Sequence, residues 1–240
     1  MNRQSGNVFF IIFLGIALFA ALAYVVSNGI RSGDNSGFSS EKAKVSATEV
    51  LSYGNALQTA VRTVMINNGC LETQLNFYSD ADTSFSTAAA PADKSCNIFD
   101  LNGGGVFYLK VNSNWLDDSF SAKTDYGNWL FMAKSCIYGM GKGGVSTCDP
   151  TISELIAYLP FVKQEVCVAY NKAMDVNAPT YAPESNLLTA VKFSGTYSAG
   201  AGSFEAFAPS LSGKRAGCFK VSSGGNYNSA YTLYYVLLPR

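Results

Sequence analysis

The sequence predicts an α+β protein: an N-terminal transmembrane helix, then an amphipathic helix packed on an antiparallel β-sheet, the whole stapled by disulfides. Three observations carry that expectation. Residues 8–26 read VFFIIFLGIALFAALAYVV, without a charge. Residues 40–68 place apolar side chains at helical spacing, and the chain beyond Cys70 alternates strand-like runs with Gly-, Asn- and Pro-rich turns. Six cysteines, none in C-x-x-C spacing, follow the apolar run.

Composition narrows the function classes. The 240 residues carry 17 basic and 17 acidic groups, so the formal net charge is zero. Such a chain has no overall field to attract nucleic acid, and no nucleic-acid partner is expected. Charged residues make up 14% of the chain, well below the usual ~25%. There is no histidine. That removes Ser-His-Asp and Cys-His catalysis and every His-containing metal site. The body after the apolar run is long enough for one sizeable core, and its 22 Gly and 7 Pro argue for an ordered, turn-rich fold.

The apolar run comes first. At a rise of ~1.5 Å per residue it nearly spans a hydrocarbon core of about 30 Å, and Ser27–Ile30 can extend it. Arg3 and Arg31 flank it. Arg3 favours a cytoplasmic N-terminus, and the cysteines favour an oxidising compartment for the rest. The expected domains are residues 1–30 (leader and membrane helix), 31–39 (Gly/Ser-rich linker) and 40–240 (exported α+β body). One reading of the run is an uncleaved signal anchor. A second is a removable signal peptide, because Ala21-Leu22-Ala23 forms an A-x-A site, although Tyr24, Val25 and Val26 continue the run past it.

A third reading starts from Met1–Gly6, a short polar leader that contains Arg3, ends in Gly and leads directly into the apolar helix. This arrangement resembles the class III signal of type IV pilins and pseudopilins. The resemblance covers about the first thirty residues. It implies cleavage between Gly6 and Asn7 on the cytoplasmic side, with the helix kept on the mature chain. It also implies a pilin-like fold, in which the helix first anchors the subunit and then packs in a filament core. Val8, Ile11, Leu14, Leu18, Leu22 and Val25 would form the packing face. Ile11 stands at the fifth mature position, where most of that family carries Glu, and Asn7 replaces the usual Phe.

The linker RSGDNSGFSS should leave helix, since Gly33 and Gly37 each cost about 1 kcal/mol inside one. Ser40–Asn68 reads as the second helix. Ser39 or Ser40 can cap it, and Glu41 lies in the first turn. Val50, Leu57, Val61, Val64 and Met65 form its apolar stripe, and Asn67-Asn68-Gly69 supplies the stop. Gly54 lies within it. The stripe is expected to pack on the chain's own sheet, the element order that the pilin resemblance also implies.

Strands are expected at Val106–Val111, Trp129–Ala133, Ala190–Ser194, Cys218–Val221 and Tyr231–Leu238, with a turn at Gly224-Gly225-Asn226 joining the last two. A further helix is expected over Thr151–Met174, divided by Pro160, with Val162, Val166, Ala169, Tyr170 and Ala173 facing inward. Alternation along the last strand should expose some of Tyr227, Tyr231, Tyr234 and Tyr235 and bury others. Surface tyrosines would suit protein or sugar contacts.

The cysteines are Cys70, Cys96, Cys136, Cys148, Cys167 and Cys218. Fifteen pairings are open, and spacing does not choose among them. Pairing of sequence neighbours is the expectation taken here: Cys70 with Cys96, Cys136 with Cys148, Cys167 with Cys218.

No motif rises to an enzyme. Gly139–Gly144 matches G-x-G-x-x-G but lies between two cysteines rather than between a strand and a helix. Asp80-Ala81-Asp82 begins like a calcium loop, but Phe85 and Pro91 stand where Gly and Glu are needed. Asp117-Asp118 reads as a solvated turn. Ser119 and Lys123 are one residue too far apart for S-x-x-K. No catalytic residue, metal or cofactor is expected. The leading expectation is a structural subunit that assembles with copies of itself through the N-terminal helix. Its partners would then be itself, the lipid bilayer and other envelope proteins. It would be anchored in the inner membrane, with its body periplasmic or extracellular. The alternative is a single-pass anchored accessory or binding subunit of a membrane complex.

Overall fold

The structure, a computed structural model, describes residues 35–141, 148–177, 184–186, 191–198, 209–223 and 225–240, together with Ile12, Ile16, Leu18 and Phe19. Residues 1–42 and 43–240 form separate compact units. In the first, the four described positions of the apolar run are helical. Among the described residues no helix is long and apolar enough to cross a membrane.

The second unit is built on a five-stranded sheet. Its strands are β1 (Leu130–Ser135), β2 (Glu154–Val162), β3 (Glu184–Asn186), β4 (Ala216–Ser223) and β5 (Tyr231–Leu238). The spatial order is β1-β2-β5-β4-β3. The first four in that order pair antiparallel, and β3 adds a short parallel edge to β4. Two helices pack on this sheet: α1 (Asn35–Asn67) and α2 (Gln164–Ala173).

The helix α1 buries the stripe expected of it. Ala43, Ala47, Val50, Leu57, Ala60, Val61 and Val64 are all buried. Its end is also as expected: Gly69 takes φ +65°, and the Cys70 N–H returns to the Val64 carbonyl at 3.2 Å. Its start is not. The helix begins at Asn35 and runs through Gly37, so the second half of the expected linker is helical. One glycine costs a helix only about 1 kcal/mol and does not by itself break it.

Gly54 locates the contact with the sheet. A Cβ there would lie 2.3 Å from Cδ2 of Tyr235 and 2.6 Å from its Cγ. Tyr235 belongs to a cross-strand row with Phe131, Ala157 and Ala216, and that row faces α1. Around the contact, the Tyr235 hydroxyl donates to Asn55 Oδ1 at 2.6 Å. Gln58 Nε2 donates to the Val236 carbonyl at 3.1 Å, and Arg215 donates to Gln58 Oε1 at 2.9 Å. The opposite row is Leu130, Tyr158, Tyr234 and Gly217. There the Tyr234 ring leans over Gly217, whose missing side chain leaves it room, and its hydroxyl donates to the Lys214 carbonyl at 3.0 Å.

Several expected elements are corrected. Residues 154–162 form β2 rather than the first half of a helix. The run ELIAYLPFV is buried at every position, and a continuous apolar run of that length has no period to separate strand from helix. Pro160 does not divide a helix. With Phe161 (φ +63°) it lies where the β2–β5 register shifts between Leu159/Leu233 and Val162/Tyr231, a bulge that tolerates a missing N–H. The helix α2 therefore starts at Gln164, with Val166 and Tyr170 buried, Ala169 half-buried, and Ala173 exposed.

Residues 106–111 form no strand. The Leu109 N–H donates to the Tyr53 hydroxyl, and the Leu109 carbonyl accepts from Trp129 Nε1, both at 3.1 Å. Residues 191–194 form no strand, and Ala190 lies outside the described residues. In β5, Tyr234 and Tyr235 are both buried, because a central strand is covered on both faces. The β4–β5 connection is longer than a tight turn and contains a short 3-10 helix at Gly225–Tyr227.

In exposed helix, Gly→Ala usually stabilises by up to about 1 kcal/mol. Here the sign should reverse. Gly54→Ala is expected to lose about 1–2 kcal/mol net, because overpacking against the seated Tyr235 ring exceeds the propensity gain. A urea titration followed by far-UV circular dichroism measures it.

Candidate functional site

The residues expected to drive assembly lie mostly outside the described residues. These are Val8, Ile11, Leu14, Leu22 and Val25, together with the processing pair Gly6 and Asn7. Leu18 is described: it is helical and 64% exposed. Its described neighbours Ile12, Ile16 and Phe19 are 54%, 63% and 74% exposed. Every buried apolar residue described lies from Ala43 onward. These four described side chains are exposed apolar surface.

The six cysteines form three bonds, each between sequence neighbours: Cys70–Cys96, Cys136–Cys148 and Cys167–Cys218. The first ties the exit of α1 to the following loop. The second closes the glycine-rich segment, of which residues 142–147 lie outside the described residues. The third fastens α2 to β4. Next to it, Asn171 is fully buried and completes the strand edge. Its Nδ2 donates to the Cys218 carbonyl at 2.9 Å, and its Oδ1 accepts the Cys218 N–H at 2.7 Å. Among the described residues β3 pairs with β4 from Lys220 on, and the Asn171 amide bonds the β4 edge at Cys218.

Three of the acids singled out in the sequence are engaged in local hydrogen bonds. Asp82 accepts the Ser84 N–H at 2.9 Å and also its hydroxyl. Asp117 accepts the Ser119 N–H at 3.0 Å, and Asp118 accepts the Tyr126 hydroxyl at 2.9 Å. Among the described residues no three Cys, Asp or Glu side chains converge where they could hold a metal ion.

Two features were missed in the sequence. The first is a groove of about 920 Å³ along α1, walled by Lys44, Val45, Thr48, Ser52, Lys110 and Trp115. Trp115 Nε1 is buried there without a hydrogen-bond partner among the described residues. The groove exists because residues 106–111 run beside α1 without joining the sheet, which no periodicity reveals.

The second is Glu154, the only charged residue in the β2 run, and fully buried. Its Oε2 accepts the Ile137 N–H at 2.7 Å, which fixes the chain just after Cys136. Its Oε1 has no partner among the described residues. Burial pushes its pKa from 4.5 up to about 8, against the lowering effect of the Ile137 hydrogen bond. A lone acid in an apolar run was the available signal, and the helix expected there concealed it.

Comparison with protein-family models, with curated proteins and with solved structures yields no match.

The chain-entropy relation ranks two of the cross-links. Cys167–Cys218 closes 51 residues and Cys136–Cys148 closes 12. Replacing each pair by serines should cost about 4 and about 3 kcal/mol respectively, measured by denaturant unfolding.

Glu154 makes a pH prediction. Between 4.5 and about 8 the folded chain holds a proton that the unfolded chain has lost. Its contribution is therefore full below the unfolded pKa and lost as pH rises toward about 8. The chain has no histidine, and all six cysteines are bonded. Glu154 should thus dominate the slope from about pH 5 to about pH 8. Glu154→Gln is expected to flatten that slope in denaturation midpoints measured across the window.

Proposed function

We propose that this chain is a structural, pilin-like subunit that assembles through its N-terminal apolar helix into an extracellular filament or pseudopilus. The observation that carries the reading is the helical, exposed state of Ile12, Ile16, Leu18 and Phe19 within an uncharged run. An exposed apolar helix needs burial. Lipid gives it before assembly, and the helices of other copies give it afterwards. Val8, Ile11, Leu14, Leu18, Leu22 and Val25 form the face for that contact, and cleavage after Gly6 leaves Asn7 as the first residue. The mechanism is packing rather than catalysis.

Localisation follows from the same reading. The helix anchors the chain in the inner membrane, and the body lies in an oxidising compartment, where its three disulfides persist. No cofactor or nucleic acid takes part.

A second reading has one observation of its own. The groove along α1 is large and partly apolar. It would suit a single-pass anchored accessory subunit that holds another envelope protein there and needs neither cleavage nor filament.

The intact mass and N-terminal peptide of the protein from its native membrane separate the two. A chain beginning at Asn7 supports the pilin-like reading, and a chain beginning at Met1 supports the anchored subunit. Leu14→Asp and Leu18→Asp are each expected to abolish assembly while leaving the body's circular dichroism and melting unchanged. Normal filaments from either variant would count against assembly through this face.

A further inference from the structure

We propose that a cleft on the body, distant in sequence from the apolar helix, binds a single neutral sugar ring. The cleft has a volume of about 240 Å³. Pockets for drug-sized ligands start at roughly 300 Å³, so this one suits one ring rather than an extended chain or a nucleotide. Three stretches without regular secondary structure build it: residues 78–81, 94–100 and 107–108.

Its aromatic side is out of proportion to its size. Tyr78, Phe99, Phe107 and Tyr108 all line it. Phe99 and Tyr108 meet edge to face at 5.3 Å, which holds both rings in place. Phe107 is 81% exposed. An exposed ring beside fixed rings offers a flat apolar platform of the kind that the C–H face of a pyranose covers.

The polar side supplies donors and acceptors together. Asn97 is 4% exposed, and its amide oxygen already accepts the Phe99 N–H at 3.0 Å, leaving its NH₂ group as a donor at the cleft wall. Asp100 is held below the usual carboxylate range, first by the Asn102 N–H and then by Lys94, whose Nζ lies 3.3 Å away. It therefore stays an ionised acceptor. Asp80 adds a second, solvent-facing carboxylate.

An anion entering the cleft meets two carboxylates, and Lys94 is already paired with Asp100. A neutral polyol meets no such repulsion. Its hydroxyls donate to Asp80 and Asp100 and accept from Asn97 and Lys94.

The full-length protein in detergent micelles, titrated with glucose, galactose, mannose and N-acetylglucosamine and followed by saturation-transfer NMR, tests this. Saturable, millimolar binding of at least one sugar is expected, weakened about tenfold or lost in Phe107→Ala and in Asp80→Asn. Both side chains are exposed, so both variants should keep the parent's near-UV circular dichroism. Tetramethylammonium and inorganic phosphate are titrated in parallel. Absence of saturable binding by all four sugars overturns the proposal. So does sugar binding indifferent to both substitutions, or tighter binding of either ion that the same substitutions abolish.

Discussion

The body depends on one close approach, between the backbone of α1 at Gly54 and the ring of Tyr235 on β5. A sheet whose central strands are apolar at nearly every position must be covered on both faces. Gly54 lets α1 come down onto the row that contains Phe131, Ala157 and Tyr235. Gln58 can then reach the Val236 carbonyl and Asn55 the Tyr235 hydroxyl. With those polar groups satisfied at the contact, the apolar stripe from Val50 to Val64 has a surface to bury.

The stretch from Cys70 to Trp129 shows how this chain orders residues without strands. Short polar side chains bond backbone N–H groups two residues on: Asn76 to Tyr78, Asp93 to Ser95, Asn97 to Phe99, Asp100 to Asn102, Asn112 to Asn114. These are local turns, each satisfying a donor that no ladder supplies. The turns bring rings together. Phe77 stacks on Phe131 at 4.2 Å, and Phe85 and Phe99 close around it. Cys70–Cys96 fixes the stretch to the end of α1. The groove and the cleft both open from this stretch, where the backbone is shaped by side chains rather than by pairing partners.

The sequence was most legible where pattern and punctuation agreed. The α1 stripe and its Asn-Asn-Gly stop, the β4–β5 pair and the start of β1 could all be read from periodicity and turn residues. β2 could not. ELIAYLPFV is apolar throughout because it lies between two strands and beneath side chains on both faces, so the period that marks a half-buried strand is absent. Tyr234 and Tyr235 failed for the same reason: alternation predicts one exposed ring only when one face is wet. Near the N-terminus the sequence shows only a run without charge at residues 8–26. The groove and the cleft were not legible in it, because they arise from tertiary placement of irregular segments. Gly54 read as a weakness in a helix and is the point at which that helix seats.

The two ends of the chain solve the same problem differently. From Ala43 onward, apolar side chains are buried by covalent and polar commitments within the body: three disulfides, the Asn171 bridge to Cys218, and Glu154 held against Ile137. Glu154 is fully buried within that enclosure, and burial raises the pKa of its carboxyl. The run at residues 8–26 has neither charge nor cysteine, and Tyr24 is its only side chain able to hydrogen-bond. Its four described side chains are exposed. An apolar helix left in that condition is stable only in a medium or against a surface as apolar as itself.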